Sequence, residues 1–139
     1  MQKRELENLL KRVQADFDNY RKRVEQERLE IKKSANADLI LSLLPVLDNF
    51  KRAAEHAPTD DQWSTGIKAI ERQFEEILNQ QGLSIIEVKP GDTVNPNHHE
   101  IVSQEKTQKY EQGSIVQVVA PGYVLNAKIL RPAKVVVAN

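Results

Sequence analysis

The chain has 139 residues, of which 29% are charged and only 5% aromatic, with 20 basic side chains set against 20 acidic ones. That length holds one or two small units, the composition suits helix plus a modest core rather than a large enzyme, and a zero net charge excludes a general nucleic-acid binder, whose phosphate contacts need a positive excess. With no cysteine, disulfides, thiolate chemistry and cysteine-ligated metal are excluded as well.

The first residues, Met1-Gln2-Lys3-Arg4-Glu5, lack the apolar core of a signal peptide, and the early acidic residues are unlike a transit peptide. The most apolar run, Ile40 to Leu47, contains Ser42 and Pro45 and is too short to cross a bilayer. The expectation is a soluble, cytoplasmic protein that makes no use of a membrane.

Leu6, Leu10, Val13, Phe17, Tyr20 and Val24 advance in steps of four and three, the spacing of a heptad seam. Glu27 takes the next place, and Ile31, Ala35 and Leu39 then advance by fours, a stutter that locally unwinds a supercoil. No Gly or Pro occurs before Pro45, so one helix of roughly 40 residues, about 60 Å long, is allowed. Too little chain remains to cover that seam, and a second copy of the same helix is the simplest cover. The outer faces carry mixed charge, and Arg21-Lys22-Arg23 is its densest cluster.

Pro45 predicts a break near residues 42–45, with Ser42 as N-cap of a short helix from Leu43 to Ala57. Pro58-Thr59-Asp60-Asp61-Gln62 punctuates the chain, and Thr59 with Gln62 has the capping-box spacing. A third helix follows, with Trp63, Ile67, Ile70, Phe74 and Ile77 at heptad spacing, and Gly82 stops it. The apolar faces of this hairpin exceed what one pair of helices buries, so two hairpins, one per subunit, are expected to close a four-helix bundle. The dimer contacts expected are Leu6, Leu10, Val13, Phe17, Tyr20, Val24 and Ile31 along the seam. In the bundle they are Leu43, Leu47, Phe50, Trp63, Ile67, Ile70, Phe74 and Ile77.

Beyond Gly82 the pattern turns to strands: Leu83–Val88, a weaker His99–Ser103, Ile115–Ala120, Tyr123–Leu130 and Val135–Val137. Lys89-Pro90-Gly91-Asp92 reads as a turn, and Pro121-Gly122 suits a type II turn. The architecture expected is therefore α+β, in three stretches. Residues 1–57 form the long helix and first bundle helix, 58–82 the second bundle helix, and 83–139 a compact all-β domain.

No catalytic constellation emerges. His56, His98 and His99 do not have zinc-ligand spacing, and the adjacent pair sits in an Asn-Pro-Asn loop where hydrogen bonding is the expected role. No serine sits in a nucleophile elbow and no Gly-rich phosphate loop exists. No enzyme activity, metal, cofactor or small-molecule substrate is expected.

Several stretches nevertheless match a known pattern. Asn19-Tyr20-Arg21-Lys22-Arg23, Leu43-Leu44-Pro45-Val46-Leu47-Asp48-Asn49, Gly66-Ile67, Asn95-Pro96-Asn97-His98-His99-Glu100, Gly122-Tyr123-Val124-Leu125-Asn126 and Leu130-Arg131-Pro132-Ala133-Lys134-Val135 together resemble the GrpE family, across essentially the whole chain. Ile101 stands where that family usually has Ala, and Ala127 where Gly or an acidic residue is common. The resemblance implies a homodimeric nucleotide exchange factor that binds the ATPase domain of a DnaK-type chaperone and opens its cleft so that ADP leaves. It also implies a co-chaperone role in protein folding and the heat-shock response, with long helices that soften reversibly in heat.

Matched position by position, the resemblance implies chaperone contacts at Pro96, Val119, Gly122, Tyr123, Arg131 and Val137, with charged contacts from Arg21, Arg23 and Lys33. Plainer readings stand beside these: Val119, Val137 and Tyr123 as core residues, Arg131 as an internal brace, and the helix charges as a solvated face. A different class of function is a coiled-coil dimerisation scaffold that presents a β adaptor to some other protein.

Overall fold

The computed structural model describes residues 2–58 and 61–139. They divide into a helical unit that ends at Asn36 and a second unit from Ala37 to Asn139. The fold is α+β, with three helices followed by six strands.

Helix α1, Gln2–Ser34, fills the first unit, and every one of its residues stays at least partly exposed. The seam side chains are bare: Leu6 is 68% exposed, Phe17 56% and Ile31 66%. Lys32 and Lys33 suit the negative end of the helix dipole. At the last turn the Ser34 hydroxyl donates to Glu30 O at 2.9 Å, and the chain turns through Ala35-Asn36. Ser and Asn compete with helical backbone bonding in this way, which ends the helix without help from Gly or Pro.

Helix α2 then runs unbroken from Ala37 to His56 with Pro45 inside it. The interruption expected at 42–45 therefore lies at Ala35-Asn36, and α2 starts six residues before Leu43. Ser42 is not an N-cap but an interior residue whose hydroxyl donates to Asp38 O at 2.9 Å. The physical reason is packing. Ile40, Leu44 and Leu47 are buried on one side of the helix, while Leu41 and Pro45 face water. The Leu41 carbonyl that Pro45 cannot bond is thus solvated, and burial of the other face outweighs the proline penalty.

Helix α3, Gln62–Gln80, is capped by Asp61, which accepts the Ser64 N–H at 2.6 Å. The Ser64 side chain first, and its N–H second, lower the Asp61 pKa. The Thr59 half of the expected capping box lies outside the described residues. At the other end Gly82 has φ +95, and its N–H donates to Asn79 O at 3.0 Å. Helices α2 and α3 meet through Phe50 and Phe74, with ring centres 6.4 Å apart, and through Lys51 and Glu75 at 3.1 Å.

The six strands are β1 Leu83–Ile85, β2 His99–Glu105, β3 Ile115–Ala120, β4 Tyr123–Leu125, β5 Lys128–Arg131 and β6 Ala133–Ala138. They make two three-stranded sheets, ordered β1-β4-β5 and β2-β6-β3. Strands β2 and β6 run parallel, and the other neighbours are antiparallel. The expected strand 123–130 is in fact a hairpin. Asn126 and Ala127 take φ +48 and +70, the backbone of a two-residue type I′ turn.

Pro121-Gly122 is not a type II turn either, because Gly122 is not among the positive-φ glycines. It carries the chain from the second sheet into the first. Its missing side chain is required there, since a Cβ would run into Ala133 N and Pro132 C.

Two cores result. Ile40, Leu44, Leu47, Leu78, Leu83, Tyr123 and Leu125 form one, shared by α2, α3 and the first sheet. Ile115, Ala133, Val135 and Val137 form the other, within the second sheet. Helices and strands from Ala37 onward make one compact unit, in which all six strands follow the helices from Leu83 on.

Candidate functional site

The residues singled out by resemblance fall into three groups. Gly122, Tyr123 and Val137 are buried, Tyr123 to 2% exposure and Val137 to 3%. Side chains so placed shape the surface from beneath. Arg131 is intermediate and makes four hydrogen bonds: its Nη1 and Nη2 donate to Asp48 Oδ2 and Oδ1 at 2.7 and 2.8 Å. Nε and Nη2 also donate to Pro121 O at 3.0 and 2.8 Å. It is an internal brace. Pro96 and Val119 are exposed, as are Arg21, Arg23 and Lys33 on α1.

Val119, 59% exposed, lies at the end of β3 with Val118 beside it. The pair lines a groove with Pro121, Asp48, Lys51, Arg52 and Glu55, so one wall comes from β3 and the other from α2. Ile85, Ile86, Glu87, Val88 and Lys89 line a second groove that shares Val118 and Pro121 with the first. An apolar ridge flanked by both signs of charge is the chemistry of a protein-contact surface.

Beneath the ridge, the Arg131 guanidinium lies 5.3 Å from the Tyr123 ring centre and the Lys51 ammonium 5.9 Å from it. Burial raises the Tyr123 pKa against the opposing effect of Lys51. Burial lowers the Lys51 pKa, but the charges of Tyr123 and Glu75 outweigh it, so the net shift is upward. Lys51 stays cationic.

Pro96 tops a tight loop held from within. Asn95 Oδ1 accepts the Asn97 N–H at 3.0 Å, and Asn95 O accepts from His98 and His99 at 2.9 and 2.8 Å. His99 Nδ1 accepts the Asn95 N–H at 2.9 Å, so that nitrogen is unprotonated. Burial and the neighbouring His98 hold the His99 pKa below its ordinary value, with Asp92 opposing. The hydrogen-bonding role expected for this histidine is the one observed. Among the described residues no group of three His, Asp or Glu side chains converges as metal ligands would.

On α1 the basic cluster borders a shallow depression lined by Phe17, Tyr20, Arg21, Lys22 and Val24. Arg23 lies over the Tyr20 ring at 5.5 Å and pairs loosely with Glu27 at 3.9 Å.

The residues expected to meet a second copy divide unevenly. Trp63, Ile70 and Ile77 stand 67%, 48% and 49% exposed along one stripe of α3. Leu43, Phe50, Ile67 and Phe74 are half-buried. Leu47 has no exposure and belongs to the chain's own core. Sequence reasoning gave no role to Asp48 or Lys51, although Asp48 closes the Leu-Leu-Pro-Val-Leu-Asp stretch. Apart from its place in that stretch, no local signal set Asp48 apart from the solvated charges around it.

Comparison with known proteins bears on the same stretches. The GrpE family model matches residues 1–139. A Protein GrpE of Carboxydothermus hydrogenoformans is 40% identical over 129 residues, covering 92% of this chain and 66% of the relative. One of Methanothermobacter thermautotrophicus is 41% identical over 128 residues, 92% of this chain and 71% of the relative. One of Bacillus anthracis is 35% identical over 134 residues, 94% and 71%. The chain thus spans about two thirds of the length of such relatives. Matched from end to end by the family model, and 40% and 41% identical to two such relatives over 92% of its length, the chain belongs to the GrpE family.

Proposed function

We propose that this chain is an adenyl-nucleotide exchange factor, a cytoplasmic co-chaperone that binds the ATPase domain of a DnaK-type chaperone as a homodimer. Opening of the chaperone's cleft and release of ADP then follow by linkage. A protein that binds the open state better than the closed one must weaken nucleotide binding by the same factor, and reciprocity requires no catalytic group.

The observation that carries this reading is the exposed Val118–Val119 ridge, braced from below by Arg131 and Tyr123 and walled by charged residues of α2. Val119 and Pro96 contact the partner. Gly122, Tyr123, Arg131 and Val137 hold the contact surface in shape. Arg21, Arg23 and Lys33 add charged contacts from α1. The bare seam of α1 and the Trp63–Ile70–Ile77 stripe of α3 are dimer faces, because apolar rows of this length are ordinarily covered. Polar Glu27 in the seam, and Ser34 at the heptad place after Ile31, weaken it, which lets α1 soften in heat and lower exchange.

The test is release of labelled ADP from a DnaK-type ATPase domain. Acceleration by the wild-type chain, with Val119→Asp losing most of it while staying folded, is the expected result. No acceleration at any concentration leaves the scaffold reading in its place.

A further inference from the structure

Pro121-Gly122 joins the two sheets, and a two-residue joint has few backbone bonds of its own. Gly122 O accepts the Ile86 N–H at 2.8 Å, and Pro121 has no N–H to give. The Pro121 carbonyl is instead gripped twice by Arg131, at 3.0 and 2.8 Å. The same planar fork grips both oxygens of Asp48 at 2.7 and 2.8 Å. Both side chains of that pair are only 20% exposed, so each charge depends on the other. The groove beside Val119 has one wall on α2 and the other on β3. The bridge Asp48–Arg131–Pro121 is a hydrogen-bonded tie from α2 to the end of β3.

We propose that Asp48 is a positioning residue for the exchange surface, acting through Arg131 and the Pro121 carbonyl to set the β3 ridge against α2. It rests on the exchange reading above. Asp48 borders the same groove, and its part in the surface is to hold Arg131. Its carboxylate fixes the plane of the guanidinium, and that plane fixes the carbonyl on which the Val118–Val119 ridge turns. An asparagine keeps the shape but offers one acceptor and no charge, so the fork is held on one side only. A lysine at 131 keeps the charge but cannot bond two carboxylate oxygens and a carbonyl in one plane.

The experiment compares wild type, Asp48→Asn, Asp48→Glu and Arg131→Lys in labelled-ADP release from a DnaK-type ATPase domain, with Val118 and Val119 methyl NMR signals recorded on each. Asp48→Asn is expected to raise the concentration for half-maximal release about 10-fold, with the rate at saturation retained. Both sets of methyl signals should move at a temperature where circular dichroism shows the fold intact. Asp48→Glu should recover part of the loss and Arg131→Lys should reproduce it. An unchanged half-maximal concentration with unmoved methyl signals in folded Asp48→Asn overturns the proposal. Where Asp48→Asn does not fold, an unaffected Arg131→Lys overturns it equally. If wild type itself fails to release ADP, the exchange reading falls, and unmoved methyl signals alone then overturn the tie.

Discussion

At the scale of single residues, the exposed Val118–Val119 ridge is held by residues buried beside it. Gly122 is the sharpest case. A methyl group there meets Ala133 N and Pro132 C, both backbone atoms that cannot swing aside, so Gly122→Ala should destabilise by about 1–3 kcal/mol. Urea unfolding checks this, and a loss below 0.5 kcal/mol would show that the joint relaxes freely.

His99 makes a second case, through protonation. Its Nδ1 must stay bare to accept from Asn95, and its pKa is lowered in the fold. The unfolded chain therefore takes up the proton first. The stabilising contribution is complete above the unfolded value, about 6.5, and is lost as pH falls through the lowered folded value. The Asn95 amide NMR signal should move as pH drops from 7 to 5, and His99→Gln should remove that titration. An Asn95 signal that is flat over this range refutes the link.

At the scale of elements, α2 shows how packing overrides propensity. Pro45 reads as a boundary, yet its helix continues because three leucine or isoleucine side chains on the opposite face are buried. Because Pro45 itself is exposed, its replacement removes a backbone penalty without opening a cavity. Pro45→Ala is expected to stabilise the second unit by up to about 3 kcal/mol, read as a higher melting temperature by circular dichroism. A lower one would mean that the proline geometry is itself needed by the core. Helix α1 is the opposite case, a helix with apolar side chains at heptad spacing and no buried residue among those described. Helices in proteins draw most of their stability from the packing of such side chains.

For the molecule as a whole, the bare stripes argue for assembly. Sedimentation should give twice the chain mass of 15.9 kDa, and Phe17→Lys, which places a charge in the seam, should shift it toward one copy. Trp63 is 67% exposed in the single chain, so its emission should move to the red on dilution as a covering copy departs. A single-copy mass at working concentration together with concentration-independent emission would remove the dimer.

Periodicity alone was enough for the α+β order, the heptad seam and the stop at Gly82, because helix spacing and left-handed caps are local properties of the chain. Motif resemblance was enough to mark Pro96, Val119 and Arg131 as residues of interest. The continuation of α2 through Pro45 and the non-turn at Pro121-Gly122 were not legible, since each was decided by packing against distant stretches; the helix end at Ser34 and the turn at Asn126-Ala127 are local but carry no Gly or Pro to mark them. Most telling is the pairing of Asp48 with Arg131. Nothing local distinguishes an aspartate on a helix from any solvated charge; only when the first sheet closes over α2 does that carboxylate meet its guanidinium and lose its water.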